Sequence, residues 1–275
     1  MQKTFIEFST KAQFIIGGDA VLSAFKKSKP LELYTFIWAR QSAIEIIVDG
    51  VPITVQPQQI ISLTPIQYLE YVGGEGSVVY QFNREFYCIK DHDKEVSCAG
   101  LLFFGNQSIP IVLLDEKEQS SFDILHQIFL EEIENKDPIQ AEMLRMLMSR
   151  FIIKMTRLFK LNNPELLVEK GSDHLLRRFN VLVESHFKEA HNVSFYAEKL
   201  FKSPKTLSNS FAKLGKSPLQ IIHARVILEA KRQLLYTDKS AKEIGYEIGF
   251  EDASHLSRMF KKVTGVSPTE FKKSA

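Results

Sequence analysis

Residues 31–114 carry short apolar runs broken at close intervals by turn residues. Glu45-Ile46-Ile47-Val48 leads into Asp49-Gly50 and then Val51-Pro52-Ile53-Thr54-Val55, two strands with a hairpin dipeptide between them. Gln59–Leu63 and the alternating Ser77–Phe82 are two more strands, and residues 101–104 and 109–114 are further candidates. Many short strands at this spacing predict a small antiparallel barrel or sandwich.

After Glu116 the period changes. Phe122, Leu125, Ile128, Phe129 and Ile133 fall on one face of a helix spanning residues 121–135. Asp137-Pro138 then predicts a restart, with Asp as N-cap and Pro in the first position. The helix that follows, to about Lys160, is apolar on more than one face through Met143, Met146, Leu147, Phe151, Ile152, Met155, Leu158 and Phe159. Such a helix needs cover on several sides. Packing of this helix pair against a second subunit is expected, with Met148 and Met155 facing outward; burial within its own subunit is the competing reading. Leu161-Asn162-Asn163-Pro164 ends the helix. A linker is expected at 161–172, and a helix over about 174–189 follows it.

The last stretch contains one helical pattern twice. The first copy reads Ala197-x2-Leu200-x6-Leu207-x3-Phe211, with Gly215-Lys216-Ser217-Pro218 after it. The second reads Gly245-x2-Ile248-x7-Leu256-x3-Phe260, with Gly265-Val266-Ser267-Pro268 after it. A small residue, a core aliphatic, a short turn and a second amphipathic helix describe a helix-turn-helix, which lays its second helix in a DNA major groove. In the first copy Ser194 is expected to cap a supporting helix from Phe195 to Phe201, and Ser203-Pro204 to start the recognition helix. Gly215 is expected to end that helix. With Leu207 and Phe211 inward, Lys205, Thr206, Ser208, Asn209 and Ala212 face outward. A long connecting helix follows, with Leu219, Ile222, Val226 and Leu234 inward. In the second copy Ser240 and Glu243 have the spacing of a capping box, and Glu251-Asp252 should cap a recognition helix displaying Ala253, Ser254, His255, Ser257, Arg258, Lys261 and Lys262.

Charge follows the same division. The chain has 275 residues and a formal net charge of +2. From Ser172 onward, however, 18 Lys and Arg stand against 11 Asp and Glu, a net of +7, while the residues before it hold 17 against 22. A basic C-terminal part behind an acidic remainder is the electrostatic footprint of a DNA-binding domain.

Residues 190–275 resemble the DNA-binding domain of the AraC/XylS family. The match is carried by Ile244-Gly245-x3-Gly249-Phe250-x-Asp252-x-Ser254-x-Leu256-x-Arg258-x-Phe260-Lys261-Lys262-x2-Gly265-x-Ser267-Pro268, and the Arg225…Ala230…Leu234-Leu235 register agrees with it. Gly245 stands where Ala is usual, Leu256 where an aromatic is usual, and Phe271-Lys272 where Tyr-Arg is usual; the first two should loosen packing in the second repeat. The resemblance implies base-edge contacts at Lys205, Ser208 and Asn209 in the first repeat and at Ala253, Ser254, His255 and Arg258 in the second. It implies phosphate contacts at Lys261 and Lys262. It also implies that the strand-rich region is a cupin-like barrel in front of a dimerising helix pair.

The expected architecture is therefore α+β. A small antiparallel, cupin-like barrel forms a sensory domain over 1–118, a helical dimerisation segment spans 119–160, and an all-α DNA-binding domain spans 173–275. Its two helix-turn-helix units are placed at about 191–212 and 239–262. The expected partners are double-stranded DNA, a second copy of the chain, a small-molecule effector and RNA polymerase, with no cofactor and no membrane. The N-terminus lacks the pattern of a signal peptide and two cysteines make no disulfide framework, so a cytoplasmic location is expected. Metal-dependent cupin enzymes need clustered histidines, yet only His92 and His126 precede residue 174; an enzyme is the disfavoured alternative, as is a non-specific architectural DNA binder. Cys88-x3-His92-x5-Cys98 supplies three ligand types for zinc or two thiols for redox sensing, against a reading as ordinary strand cysteines beside a surface histidine. Tyr34, Trp38, Tyr80 and Phe82, with Phe36 and Phe86, are candidates for an effector pocket and equally for core.

Overall fold

A computed structural model describes residues 2–87, 99–103, 109–163, 172–212 and 217–274. The chain divides into two compact units, Met1–Val168 and Glu169–Ala275. Cys88, His92, Cys98 and Gly215 lie outside the described residues, as do 164–171 of the expected linker.

The described residues of the first unit contain ten strands: β1 (Lys3–Glu7), β2 (Ala12–Gly17), β3 (Lys29–Pro30), β4 (Tyr34–Ala39), β5 (Ile44–Val48), β6 (Val51–Val55), β7 (Gln59–Leu63), β8 (Tyr68–Gly73), β9 (Ser77–Phe82) and β10 (Ile111–Leu113). A helical turn, α1 (Asp19–Leu22), follows β2. All pairs are antiparallel and make two sheets, ordered β1-β2-β9-β4-β7-β10 and β3-β8-β5-β6. Pairing stops at the edge strands, so the described strands form two open sheets and not a ring. The predicted hairpin is β5–β6, with Asp49 at φ 51° and Gly50 at φ 81°, the pair of left-handed residues that a two-residue turn requires.

The six-stranded sheet is covered on both faces. Ile15, Ile37, Ile61, Leu63 and Val79 join Ile44, Ile46, Val48 and Leu69 of the smaller sheet in one aliphatic core. On the opposite face Phe14, Phe36, Trp38 and Tyr80 meet Phe122, Phe129 and Phe151 of the helices that follow. A strand buried on both sides loses its alternation and reads as a continuous apolar run. β4 is buried at every position and β2 at all but Gln13, so neither shows the alternation of a half-buried strand. The sheet begins at Lys3, ahead of the expected strand region, with an edge strand β1 that alternates between half-buried and exposed residues.

Two helices complete the unit, α2 (Glu116–Glu132) and α3 (Gln140–Asn162). Helix α2 starts five residues earlier than the apolar spacing suggests because Asp115 accepts the Glu118 N–H at 2.8 Å and caps it. Asp137 does not cap α3; its carboxylate takes the Ile139 N–H in a turn just before it. Residues 99–103 form one wide helical turn instead of a strand, since periodicity cannot distinguish the two in a run this short. Met148 and Met155, expected outward, are fully buried with Leu144, Phe151 and Ile152. Most of the apolar surface of α3 thus belongs to the core of its own unit. His126 of α2 is buried beside Tyr80, whose hydroxyl lies 2.7 Å from its Nδ1, and burial pulls its pKa down to about 4.

Among its described residues the second unit contains helices and no strand: α4 (Ser172–His186), α5 (Val193–Lys199), α6 (Pro204–Ala212), α7 (Pro218–Tyr236), α8 (Ala241–Glu247), α9 (Ala253–Thr264) and α10 (Pro268–Ser274). One core runs through all of it, including Phe179, Tyr196, Leu207, Phe211, Ile222, Val226, Ile244, Leu256 and Phe260. Leu219, expected inward on α7, is 41% exposed. Arg225 of α7 is buried instead: its guanidinium grips Glu184 of α4 at 2.6 and 3.0 Å, reaches Glu229 at 3.3 Å and stacks on the Phe187 ring. A buried cation needs such a complete set of partners.

Candidate nucleic-acid interface

The two repeats are the same structure at the level of single hydrogen bonds. In the first, the Phe201 and Lys202 N–H groups close the supporting helix α5 onto the carbonyls of Glu198 and Ala197. In the second, Gly249 and Phe250 close α8 onto Tyr246 and Gly245, forty-eight residues further on in each case. The second turn holds one extra residue. Leu207 and Phe211 of α6 therefore correspond to Leu256 and Phe260 of α9, and all four side chains are buried. The equivalent outward pairs are Lys205 with Ser254, Thr206 with His255, and Asn209 with Arg258.

Caps fix where each helix begins. Asn192, not Ser194, caps α5, taking the Phe195 N–H at 3.0 Å, so that helix starts two residues before the expected point. Ser203 accepts the Thr206 N–H at the start of α6. Ser217 with Gln220, and Ser240 with Glu243, form reciprocal capping boxes on α7 and α8. Asp252 caps α9 by accepting the Ser254 N–H at 2.8 Å, and Gly265 ends it at φ 86°.

Lys205, Thr206, Ser208 and Asn209 are all exposed on α6. On α9, Ser254, His255, Arg258, Lys261 and Lys262 are exposed. Ala253 and Ser257 are half-buried. Ala253 packs on Gly245 so closely that a Cβ added to Gly245 would lie 3.0 Å from its Cα and Cβ. The glycine therefore permits a tight helix approach, contrary to the expected loosening. Ser254 is also less free than its position suggests, because its hydroxyl donates to the Asp252 carboxylate. Those hydrogen bonds, from the hydroxyl and from the Ser254 backbone, hold the Asp252 carboxyl below its ordinary range. Asp252 also stands 4.0 Å from His255 Nε2.

Three features of this surface were not anticipated from the sequence. Phe201, at the first turn, adopts φ 55° with its ring 89% exposed. Gly249, its counterpart, has φ 90°, and a Cβ there would fall 1.7 Å from the Lys188 carbonyl oxygen. His191 lies beside this contact, with Nε2 3.0 Å from the Ile248 oxygen and its ring stacked on Phe250 at 4.1 Å and 19°. Burial holds the His191 pKa below its ordinary value, opposed by its hydrogen bonds to the Ile248 and Phe187 carbonyls. An open depression of about 800 Å3 lies at this place, lined by Glu189, His191, Asn192, Phe250, His255 and Arg258 among others. The Gly249-Phe250 pair in the family-like signature was the available signal for the close approach; nothing comparable marked His191.

The effector candidates Tyr34, Trp38, Tyr80 and Phe82 are 9%, 1%, 1% and 0% exposed and sit in the aromatic layer between sheet and helices. Among the described residues no group of three or more His, Cys, Asp or Glu side chains is placed to hold a metal ion. No described helix is long and apolar enough to cross a membrane.

A paired helix-turn-helix with cationic outward faces defines a class of DNA-binding module, and comparison with known proteins agrees. Residues 196–274 match a helix-turn-helix domain family. The arabinose operon regulatory protein of Salmonella typhimurium is 36% identical over 102 residues, 37% of this chain and 32% of the relative. The transcriptional activator RhaS of Escherichia fergusonii is 29% identical over 128 residues, 45% of each chain. The second unit is thus a helix-turn-helix domain of the AraC type. The chain spans about a third to about a half of the length of these relatives. Similar solved structures include the DNA-binding domain of AdpA in complex with a target DNA, 28% identical over 36% of this chain and 90% of that one, TM-score 0.33. They also include ToxT of Vibrio cholerae, 15% identical over 99% of this chain and 96% of that one, TM-score 0.42.

Proposed function

We propose that the protein is a sequence-specific, DNA-binding transcription regulator and not an enzyme. The supporting observation is the duplicated turn geometry that presents two exposed polar and cationic helix faces, α6 and α9, on one rigidly packed core. Each is the size and character of a major-groove reader. Asn209 bonds adenine in bidentate fashion, and Arg258 does the same to guanine. Lys205, Thr206 and Ser208 flank the first contact; Ser254 and His255 flank the second. Lys261 and Lys262 bind phosphate and carry no sequence information. Ala253 is half-buried against Gly245 and offers thymine at most part of a methyl group.

The first unit supplies control in this reading. Met143 and Met146 remain 40% and 58% exposed on α3, one and two turns beyond Ile139 at 66%. This stripe, with Ile124 and Ile128 of α2 at 64% and 38%, is the surface for a second copy, in place of Met148 and Met155. The aromatic layer around Tyr34, Trp38, Tyr80 and Phe82 is the place an effector would open, and RNA polymerase is the partner a regulator acts on. The cytoplasm is the compartment that contains both.

Selection of bound duplexes from a random pool, followed by titration against random DNA, tests the reading. Preference for the selected duplex by a factor of about a thousand or more is expected of a specific binder; equal affinities identify an architectural binder instead. Sedimentation of a Met143→Glu/Met146→Glu protein tests the second-copy surface: a folded monomer beside a dimeric wild type is expected, and identical sedimentation rejects the surface.

A further inference from the structure

Two reading heads on one chain are useful only if the distance and rotation between them match the groove. A helix alone, here the 19 residues of α7 or roughly 28 Å, sets the separation but leaves rotation to side-chain packing. The structure contains a second link. It runs from residues 188–192, the approach to α5, to residues 248–250, the turn of the second repeat.

Three contacts make this link. The Gly249 backbone lies against the Lys188 carbonyl with no room for a Cβ. His191 must carry its proton on Nε2 to bond the Ile248 oxygen at 3.0 Å. Its ring lies flat on Phe250, which is 8% exposed. The link sits at the start of two functional helices, for Asn192 caps α5 and Asp252 caps α9. A shift at His191 is therefore passed through very short, stiff segments to the N-terminus of the second recognition helix, the end that approaches the base edges.

We propose that His191 is a positioning residue for two-segment DNA readout: its bond to Ile248 and its stack on Phe250 fix the second recognition helix relative to the first, and so set the spacing of the two recognised segments. The inference rests on the DNA-binding reading above and adds to it a determinant of spacing.

The test uses the full-length chain and three duplexes derived from a selected sequence. The first is unaltered, the second carries one base pair inserted between the two recognised segments, and the third has one segment scrambled. An inserted pair moves the segments apart by about 3.4 Å and rotates them. Wild type is expected to lose about tenfold or more on the inserted duplex. His191→Ala should lose about tenfold on the unaltered duplex, match wild type on the scrambled one, and bind the unaltered and inserted duplexes within about twofold of each other. His191→Gln, whose amide can still donate to Ile248, should recover part of the spacing preference. A merely structural role would weaken all three duplexes alike. A folded His191→Ala with wild-type spacing preference overturns the proposal. If that variant does not fold, His191→Gln and Phe250→Leu take its place, and unchanged spacing preference in both overturns it. Loss of cooperative unfolding in all three variants makes the contact a determinant of folding and also overturns it. If wild type binds selected and random duplexes equally, the regulator reading fails first and this inference falls with it.

Discussion

The two helix-turn-helix repeats share a backbone and solve the same turn with opposite residues. Both turns need one residue in the left-handed region, at φ 55° in the first and 90° in the second. The second uses Gly249 because the Lys188 carbonyl occupies the space of a side chain. The first uses Phe201, whose ring points into solvent. A turn's dihedral angles thus disfavour a side chain by about 1–2 kcal/mol, whereas a neighbouring backbone forbids it. The repeats also differ where they meet a ligand. The first starts its outward helix from a neutral cap, Ser203, and displays Lys205 and Asn209. The second starts from acidic Asp252 and displays His255, Arg258, Lys261 and Lys262, concentrating cations toward its C-terminal end.

The largest expected effect breaks the second turn alone. Gly249→Ala must move the Lys188 backbone or the turn, and should cost about 3–5 kcal/mol, the range of severe core mutations. Denaturant unfolding would measure it, and a cost below about 1 kcal/mol would mean that the turn is not held by that contact. Next come the base-reading residues. Asn209→Ala and Arg258→Ala should each weaken binding to a selected duplex by about 1–3 kcal/mol more than to random DNA, at different positions of the site. Equal losses on both DNAs would remove the residue from base readout. By contrast, Lys262→Ala should weaken both DNAs alike and flatten the salt dependence by about one unit of slope.

Acidification probes the link between the repeats more gently. The folded pKa of His191 lies below its ordinary value, so the unfolded chain takes up the proton first as pH falls. Its contribution to stability is full above the unfolded pKa of about 6.5 and is lost as pH drops from there toward the folded value. Wild type should lose more stability than His191→Gln between pH 7.5 and 5.5, by at most about 1.4 kcal/mol per pH unit for a single proton. Parallel curves would show that His191 is not desolvated. The smallest effect has the opposite sign: Phe201→Gly should raise stability by about 0.5–1 kcal/mol, relief of the left-handed strain being offset in part by the entropy of glycine. A loss on that substitution would show that the Phe201 ring contributes to stability.

Much of the DNA-binding unit was legible because its signals are local. The duplicated spacing, the Ser240–Glu243 capping box, the start at Ser203-Pro204 and the exposure of Asn209 and Arg258 all follow from residues within one or two helical turns of each other. The errors there were of the same scale: Ser194 lost the cap to Asn192, whose side chain takes the Phe195 N–H and starts the helix two residues earlier. In the first unit the hairpin at Asp49-Gly50 was legible for the same local reason. Burial on two faces left β2 and β4 without alternation, and the aromatic layer of α2 and α3 resembled an intersubunit surface until its partner, the far side of the six-stranded sheet, was in place.

By itself the sequence determined that this chain carries two helix-turn-helix repeats and most of the side chains that face outward from them, since a 3.6-residue period and a cap are properties of contiguous residues. Ala253 and Ser257, expected on that face, are half-buried. Only the tertiary structure decided that Met148 and Met155 are core, that Gly245 and Gly249 are required by close neighbours, and that His191 joins the repeats. Those facts depend on what lies a few ångströms away in space and dozens of residues away in the chain. The Gly249–Lys188 contact spans 61 positions of sequence, and no local pattern records it.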